Sequence, residues 1–251
     1  MKLRSPRALL IGAIAVTLLI GTSALADGLG RGALRQVVAA CYVAKSTLGL
    51  SFPCTDVRLA KSGTDGYAII RSPGFDSEFL LAPLAPFNGI ETPELKTDAA
   101  TDFWRAAWAA RTDVAAALGH PLPRAAVALA VNASGTRTQD HFHIHIDCLR
   151  PTVGKVLSAD TSSIGEQWAK LPTPVRGDIY WARTIPGSDL SGVNVARLLA
   201  AAPPASDNPM GDATLAVIPA TLADGTDGFY LLANWENTSA ERLLDHDCRG
   251  R

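Results

Sequence analysis

The sequence predicts an α+β fold built on an antiparallel sheet. Short apolar runs bounded by turn residues recur along the chain, and helical segments interrupt them without the regular alternation of a parallel sheet. The chain has 251 residues, of which 47% are hydrophobic, and we find neither an internal repeat nor a convincing linker. We therefore expect one compact domain at residues 27–251, preceded by a separate segment at residues 1–26.

The first elements of the domain are predicted to be a helix and a hairpin. Residues 34–44 have helical character. Two apolar runs follow at residues 66–71 and 78–83. Pro73 and Gly74 lie between these runs and are typical of a hairpin turn.

A longer helix is predicted at residues 99–118. Thr97 and Asp98 offer N-cap side chains, and Gly and Pro residues follow its end. Trp104 and Trp108 fall on one face, where we expect them to pack against the sheet. Contact of these rings with a lipid or a base is the alternative.

Further strands are expected after this helix. Residues 126–132 form an apolar run that predicts a buried strand, and Ser134-Gly135 predicts a turn into a histidine-rich segment, so the two make a second hairpin. Later strand candidates are Trp168 and residues 180–185, 213–218 and 229–232, with turn signals at Asp224-Gly225 and Asp227-Gly228 between the last two.

Residues 1–26 have the pattern of an export signal. Three basic residues precede an uncharged apolar run at residues 8–20, and Ala24 and Ala26 are the small residues that a signal peptidase requires. Cleavage after Ala26 and retention as a membrane anchor both stay open, because the apolar stretch is close to the length of a span. In either case the basic end is expected to stay in the cytoplasm, and the rest of the chain is expected to cross the membrane.

Four cysteines agree with export, because thiols usually pair in an oxidising compartment. Of the three pairings, we favour Cys41 with Cys54, which closes a short loop, and Cys148 with Cys248, which ties the C-terminus to the centre of the domain. No Cys-x-x-Cys spacing occurs, which disfavours a redox dithiol or a zinc knuckle.

The charge balance disfavours nucleic-acid binding. Twenty-three Lys and Arg residues face 24 Asp and Glu residues, so the formal net charge is −1. Such a chain has no general positive field that would attract a polyanion.

The most informative segment is His141-Phe142-His143-Ile144-His145-Ile146. In an extended strand, alternation places the three imidazoles on one face and the three apolar side chains on the other. Gln139 and Asp147 have the same parity as the histidines. The segment therefore predicts a strand with one core face and one face of aligned imidazoles.

Three interpretations of the imidazoles stay open at this point. They could be hydrogen-bonded without chemistry, or they could bind a metal ion with His120 or His246 as further ligands. The third interpretation is covalent catalysis, in which an imidazole nitrogen attacks an activated phosphorus while neighbouring donors hold the phosphate oxygens.

The histidine segment, with Val131-Asn132 and Gln139 before it and Arg150-Pro151 after it, resembles the histidine triad superfamily of nucleotide hydrolases and transferases. More narrowly, residues 132–146 resemble the bacterial CDP-diacylglycerol pyrophosphatases. Companion segments share this resemblance: the N-terminal segment and residues 78–83, 87–93, 103–108 and 245–248.

The resemblance implies a histidine-triad-like antiparallel sheet with packed helices and a C-terminal extension. It also implies hydrolysis of CDP-diacylglycerol to CMP and phosphatidate through a nucleotidyl-histidine intermediate. His143 would be the nucleophile, with His141 and His145 binding phosphate oxygens, orienting or protonating. Asn132 would lie near the phosphate and ribose, and Gln139 is a further substrate-binding candidate whose spacing departs from the common pattern.

This scheme requires no metal ion or cofactor. His143 must be neutral to attack, so activity should fall as it protonates, near pH 6.5 unless its surroundings shift its pKa. Two alternatives stay open: the same chemistry on another nucleoside diphosphate or with transfer to an alcohol, and a non-catalytic exported metal-binding protein. The partners implied are a lipid-linked nucleotide and the inner membrane, while the sequence leaves the oligomeric state open.

Overall fold

A computed structural model describes residues 30–61 and 65–248 of the chain. The predicted signal peptide or anchor at residues 1–26 lies outside the described residues. Within those two ranges, no helix is both long and apolar enough to cross a bilayer.

The described residues form a single antiparallel sheet of nine strands with five α-helices. The strands are β1 (Asp56–Arg58), β2 (Tyr67–Arg71), β3 (Phe79–Pro83), β4 (Val127–Val131), β5 (Ile144–Cys148), β6 (Ala169–Lys170), β7 (Trp181–Pro186), β8 (Thr214–Thr221) and β9 (Asp227–Asn234). The helices are α1 (Ala33–Leu48), α2 (Thr101–Ala109), α3 (Arg111–Leu118), α4 (Pro151–Ala159) and α5 (Val195–Ala200). The spatial order is β1-β2-β3-β5-β4-β8-β9-β7-β6, which places β5 between β3 and β4. The predicted α+β class and antiparallel sheet are confirmed.

One face of the sheet carries the main hydrophobic core. Helices α2, α3 and α5 pack on this face, and the alternate side chains of the central strands meet them. Trp104 lies edge-on to Phe142, and Trp108 lies edge-on to Phe229. The packing role expected for both tryptophans is therefore confirmed.

The opposite face is covered in two separate patches. Helix α1 packs on β1, β2 and β3 through Leu34 and Val38. On the same face, helix α4 and a C-terminal 3-10 turn at Ala240–Leu243 form the second patch and pack over β4, β8 and β9. The polar side chains of β5 lie at the boundary between these patches, so they are buried without belonging to either apolar cluster.

Local signals predicted most of the strands. The two predicted hairpins pair as β2 with β3 and β4 with β5, and Gly74 adopts a positive φ of 91° in the first turn, as such a turn favours. Strands β7, β8 and β9 cover the three later ranges, although β9 begins at Asp227, inside one of the predicted turn signals. The fourth candidate, Trp168, lies immediately before the two-residue strand β6.

The predicted helix at residues 99–118 is corrected in two ways. It divides at Ala110 into α2 and α3, and at this point the Arg111 side chain donates a hydrogen bond to the Trp108 carbonyl. The predicted cap is also wrong. The N-cap residue is Ala100, which has no capping side chain, and Thr97 and Asp98 lie before it. The Asp98 carboxylate instead pairs with the Arg197 guanidinium at 2.6 Å.

The structure forms the two disulfides that the sequence favoured. Cys41 and Cys54 have Cα atoms 5.8 Å apart, and Cys148 and Cys248 have Cα atoms 5.4 Å apart. The first bond joins α1 to the loop before β1. The second joins the end of β5 to the C-terminal segment.

We expect the two disulfides to contribute unequally to stability. Their partners are 13 and 100 residues apart, so loss of the cross-link should cost about 3 kcal/mol for Cys41–Cys54 and about 4.7 kcal/mol for Cys148–Cys248. Double Cys→Ser variants and urea unfolding followed by tryptophan fluorescence measure these costs. The reverse order would contradict the entropic explanation.

Candidate active site

The histidine segment is only partly a strand. Strand β5 begins at Ile144, so His145 lies within the strand whereas His141 and His143 lie in the chain that enters it. The predicted separation of faces is nevertheless found, because Phe142, Ile144 and Ile146 join the main core. The three imidazoles are all buried, with 1%, 7% and 6% of their surface exposed in chain order.

His143 has one nitrogen held and one nitrogen free of backbone partners. Its Nδ1 lies 2.7 Å from the carbonyl oxygen of His141, and a carbonyl only accepts, so Nδ1 carries the proton. The lone pair of the neutral ring is therefore on Nε2. Burial and the neighbouring charge of His145 lower the pKa of His143 to about 3. The expectation of titration near pH 6.5 is thus corrected, and the ring is neutral at physiological pH.

His145 lies between two carboxylates. Its Nδ1 is 2.9 Å from Oε1 of Glu78, and its Nε2 is 3.0 Å from Oε1 of Glu241. The ring also meets His143 edge-on, with ring centroids 4.7 Å apart. Because ionised carboxylates only accept hydrogen bonds, the contact at each nitrogen requires a proton there or on the carboxylate.

Glu78 is a fully buried acid just before β3. Burial by itself raises the pKa of its carboxyl group, but hydrogen bonds from His145 and Ser72 and the charge of His246 outweigh that effect, so the pKa is lowered. A hydrogen bond to Asp147 raises the pKa of His246 against the opposing effect of burial. An ionised carboxylate at position 78 therefore fixes the orientation of the His145 ring.

His141 supports the site from the other side. Its Nε2 donates to the carbonyl oxygen of Pro83 at 2.8 Å, while its Nδ1 has no hydrogen-bond partner among the described residues. Burial lowers the pKa of this ring, with a further contribution from the charge of Arg35. His141 is therefore a second neutral imidazole, and its carbonyl is the group that orients His143.

Asn132 joins the site, but Gln139 lies apart from the imidazoles. Asn132 follows β4, and its Nδ2 donates to Glu241 and lies 3.5 Å from Nε2 of His145. Gln139 instead bonds the start of α1, accepting from the amide of Leu34 and donating to the carbonyl of Gly30. The structure thus brings four of the five predicted site residues together.

A small cleft opens beside His143, and Arg137 forms part of its wall. The guanidinium of Arg137 is held by Glu91 at 2.8 Å and by Asp140 at 3.2 Å. Gly89 lies so close that a Cβ atom there would come within 1.9 Å of Arg137. A glycine is required at this position if the arginine is to stay beside the cleft.

Potential metal ligands occur in the same place. One oxygen or nitrogen atom from each of Glu78, His145 and Glu241 lies within 4.8 Å of the others. These atoms already contact one another, through the hydrogen bond between His145 and Glu78 and the ion-pair contact between His145 and Glu241, and we assign no metal ligand. His120, an expected additional ligand, is exposed and its Nδ1 contacts the carbonyl of Pro121.

Sequence reasoning missed the two acids that contact His145, Glu78 and Glu241. Glu78 had a detectable signal, because it is an acid at the edge of an apolar strand. Glu241 had none, since it lies in a polar stretch far along the chain from the histidines. Only the return of the C-terminal segment to Asn132 brings its carboxylate to His145.

We expect the buried His143 to destabilise the fold in acid. Its folded pKa lies below the ordinary 6.5, so the unfolded chain binds a proton first and stability is lost as pH falls below 6.5. Replacing His143 with Gln should reduce the loss of unfolding free energy between pH 7.5 and pH 5 by about 2 kcal/mol. Urea unfolding with His120→Gln as control checks this, and equal losses in all proteins would contradict it.

Comparison with known proteins shows the family of this chain. The chain matches the CDP-diacylglycerol pyrophosphatase family over residues 30–251. It is also 34% identical over 203 residues to a CDP-diacylglycerol pyrophosphatase of Yersinia pestis, and the alignment covers 78% of this chain and 76% of that protein. The chain therefore belongs to the CDP-diacylglycerol pyrophosphatase family.

Proposed function

We propose that this protein hydrolyses the pyrophosphate bond of CDP-diacylglycerol, releasing CMP and phosphatidate. The family and the Yersinia relative support this substrate and reaction. The observation that carries the proposal is the state of His143, a neutral imidazole whose Nδ1 is anchored by the His141 carbonyl and whose Nε2 holds a lone pair. Such a nitrogen is ready to attack phosphorus.

In the proposed reaction, Nε2 of His143 attacks the phosphorus that bears cytidine. The bond from this phosphorus to the bridging oxygen breaks, and phosphatidate leaves with the electron pair. The cytidylyl group stays on His143 as a phosphoramidate, which water then hydrolyses to CMP. The antiparallel sheet with packed helices supports the histidine-triad-like site that the resemblance implies.

The neighbouring groups suit the charge that develops during attack. Nδ2 of Asn132 lies beside Nε2 of His145, and these donors can hold phosphate oxygens next to His143. Arg137 lies at the cleft and supplies a positive charge that Glu91 and Asp140 keep in place. Gln139 has no such position, so we do not include it among the substrate contacts.

We also propose that the domain acts on the outer side of the bacterial inner membrane. Two disulfides support this location, because such bonds persist in an oxidising compartment. The basic and apolar pattern of residues 1–26 supports it independently, whether that segment is cleaved or retained.

We expect His143→Ala to abolish turnover and adduct formation. Wild-type protein mixed with CDP-diacylglycerol in detergent micelles and quenched in base should carry a CMP-sized adduct on the peptide that contains His143. The variant should carry none, because it lacks the nucleophile. Mass spectrometry measures the adduct, and chromatography measures CMP and phosphatidate.

The exposed histidine gives the matched control. His120→Ala should retain both adduct and turnover. Turnover that persists in His143→Ala would contradict the proposal. So would turnover without an adduct that a chelator abolishes, which would indicate a metal hydrolase instead.

We expect the domain to be exported when expressed in a bacterium. Alkaline phosphatase fused after residue 251 should be active, because that reporter folds only where its disulfides form. The same fusion lacking residues 1–26 should be inactive. Equal activity of the two fusions would contradict export by this segment.

A further inference from the structure

We propose that Glu241 is the general base of the second half of this reaction, and that His145, which it contacts, donates the proton of the first half. The inference rests on the hydrolysis proposed above and adds a residue to it. The evidence is the position of the Glu241 carboxylate, its exposure to solvent, and the way in which the fold holds the segment that carries it.

Glu241 is held in place through its backbone. Oδ1 of Asn132 accepts hydrogen bonds from the amides of Ala240 and Glu241, at 2.8 and 3.4 Å, and from the hydroxyl of Ser239 at 3.1 Å. The same side chain then donates from Nδ2 to the Glu241 carboxylate. One buried asparagine therefore fixes both the turn and the direction of its acid.

The two nitrogens of His145 have different neighbours. The carboxylate at Nδ1, Glu78, is 2% exposed, whereas the carboxylate at Nε2, Glu241, is 31% exposed. Glu78 lies on the Nδ1 side of the ring and is almost completely shielded from solvent. Of the two acids that contact His145, only Glu241 can meet both solvent and the reacting phosphate.

The contacts of His145 also require a proton between its ring and the Glu241 carboxylate. Glu78 accepts from Nδ1 of His145, so the 3.0 Å contact between Nε2 and Glu241 requires one further proton between those two atoms. The imidazole that shares this proton meets the ring of His143 edge-on. The proton is therefore held on the ring that contacts His143.

This arrangement balances both half-reactions. When His143 attacks, the oxygen of departing phosphatidate takes the electron pair of the broken bond and the proton shared by His145 and Glu241. Water then attacks the phosphoramidate, and Glu241 takes one proton from it. The nitrogen–phosphorus bond breaks, its electron pair returns to Nε2 of His143, and the shared proton is restored as CMP leaves.

The test separates formation of the His143 adduct from its hydrolysis, by rapid mixing of the full chain with CDP-diacylglycerol micelles. In Glu241→Gln, His145 still supplies a donor for the first step, but no base accepts the proton from water. We expect a burst of one phosphatidate per site, CMP release slowed about 100-fold, and accumulation of the His143 adduct. Glu236→Gln, an exposed acid on the same segment, should behave as wild type.

A second variant guards against a merely structural effect. In Glu241→Ala, added formate should restore CMP release in proportion to its concentration and leave the phosphatidate burst unchanged. An equal fall of both products without adduct in Glu241→Gln would overturn the proposal and make Glu241 a positioning residue. Faster turnover in either variant would also overturn it, because the carboxylate would then be a plug at the phosphate site.

These outcomes are distinct from failure of the proposed function. If wild type forms no adduct and His143→Ala stays active, covalent transfer itself fails, and with it the role given to Glu241. If wild type forms the adduct and Glu241→Gln does not accumulate it, only the role of Glu241 fails.

Discussion

The burial of strand β5 on both faces is the constraint from which the rest of the site follows. The main core covers one face of β5. The other face lies between two apolar patches, which bury it from both sides. Imidazoles placed there lose most of their contact with water, so each needs a partner inside the protein. The His141 carbonyl, Glu78 and the Pro83 carbonyl meet that need.

The same burial divides the imidazoles into different chemical states. Nδ1 of His143 contacts a carbonyl, and burial away from water keeps the His143 ring neutral. His145 has a carboxylate at each nitrogen, so it can share a proton. The two histidines thus acquire different surroundings, a neutral ring held at Nδ1 by a carbonyl and a ring in contact with two carboxylates, and the difference comes from what contacts each ring.

The C-terminal segment connects global stability to the site. A disulfide joins Cys248 to Cys148 at the end of β5, and the amide of Asp245 donates to the Cys148 carbonyl. Asn132 then anchors the turn that bears Glu241. The return of this segment places His246 against Asp147 as well. Residues distant in sequence therefore become one network, and the cross-link that holds the tail also supports the acid beside His145.

Features that depend on neighbours along the chain could be predicted from the amino-acid sequence. Alternation of Phe142, Ile144 and Ile146 with the histidines separated core from imidazoles, and turn residues marked both hairpins. Tertiary structure decided the protonation states and the partners. Glu241 reaches Asn132 across 109 residues, and the pKa of His143 depends on burial by distant elements. The period of a strand predicts which face of the sheet a side chain occupies. Burial from water and charge pairing, which set the pKa, depend on groups that only the folded chain brings together.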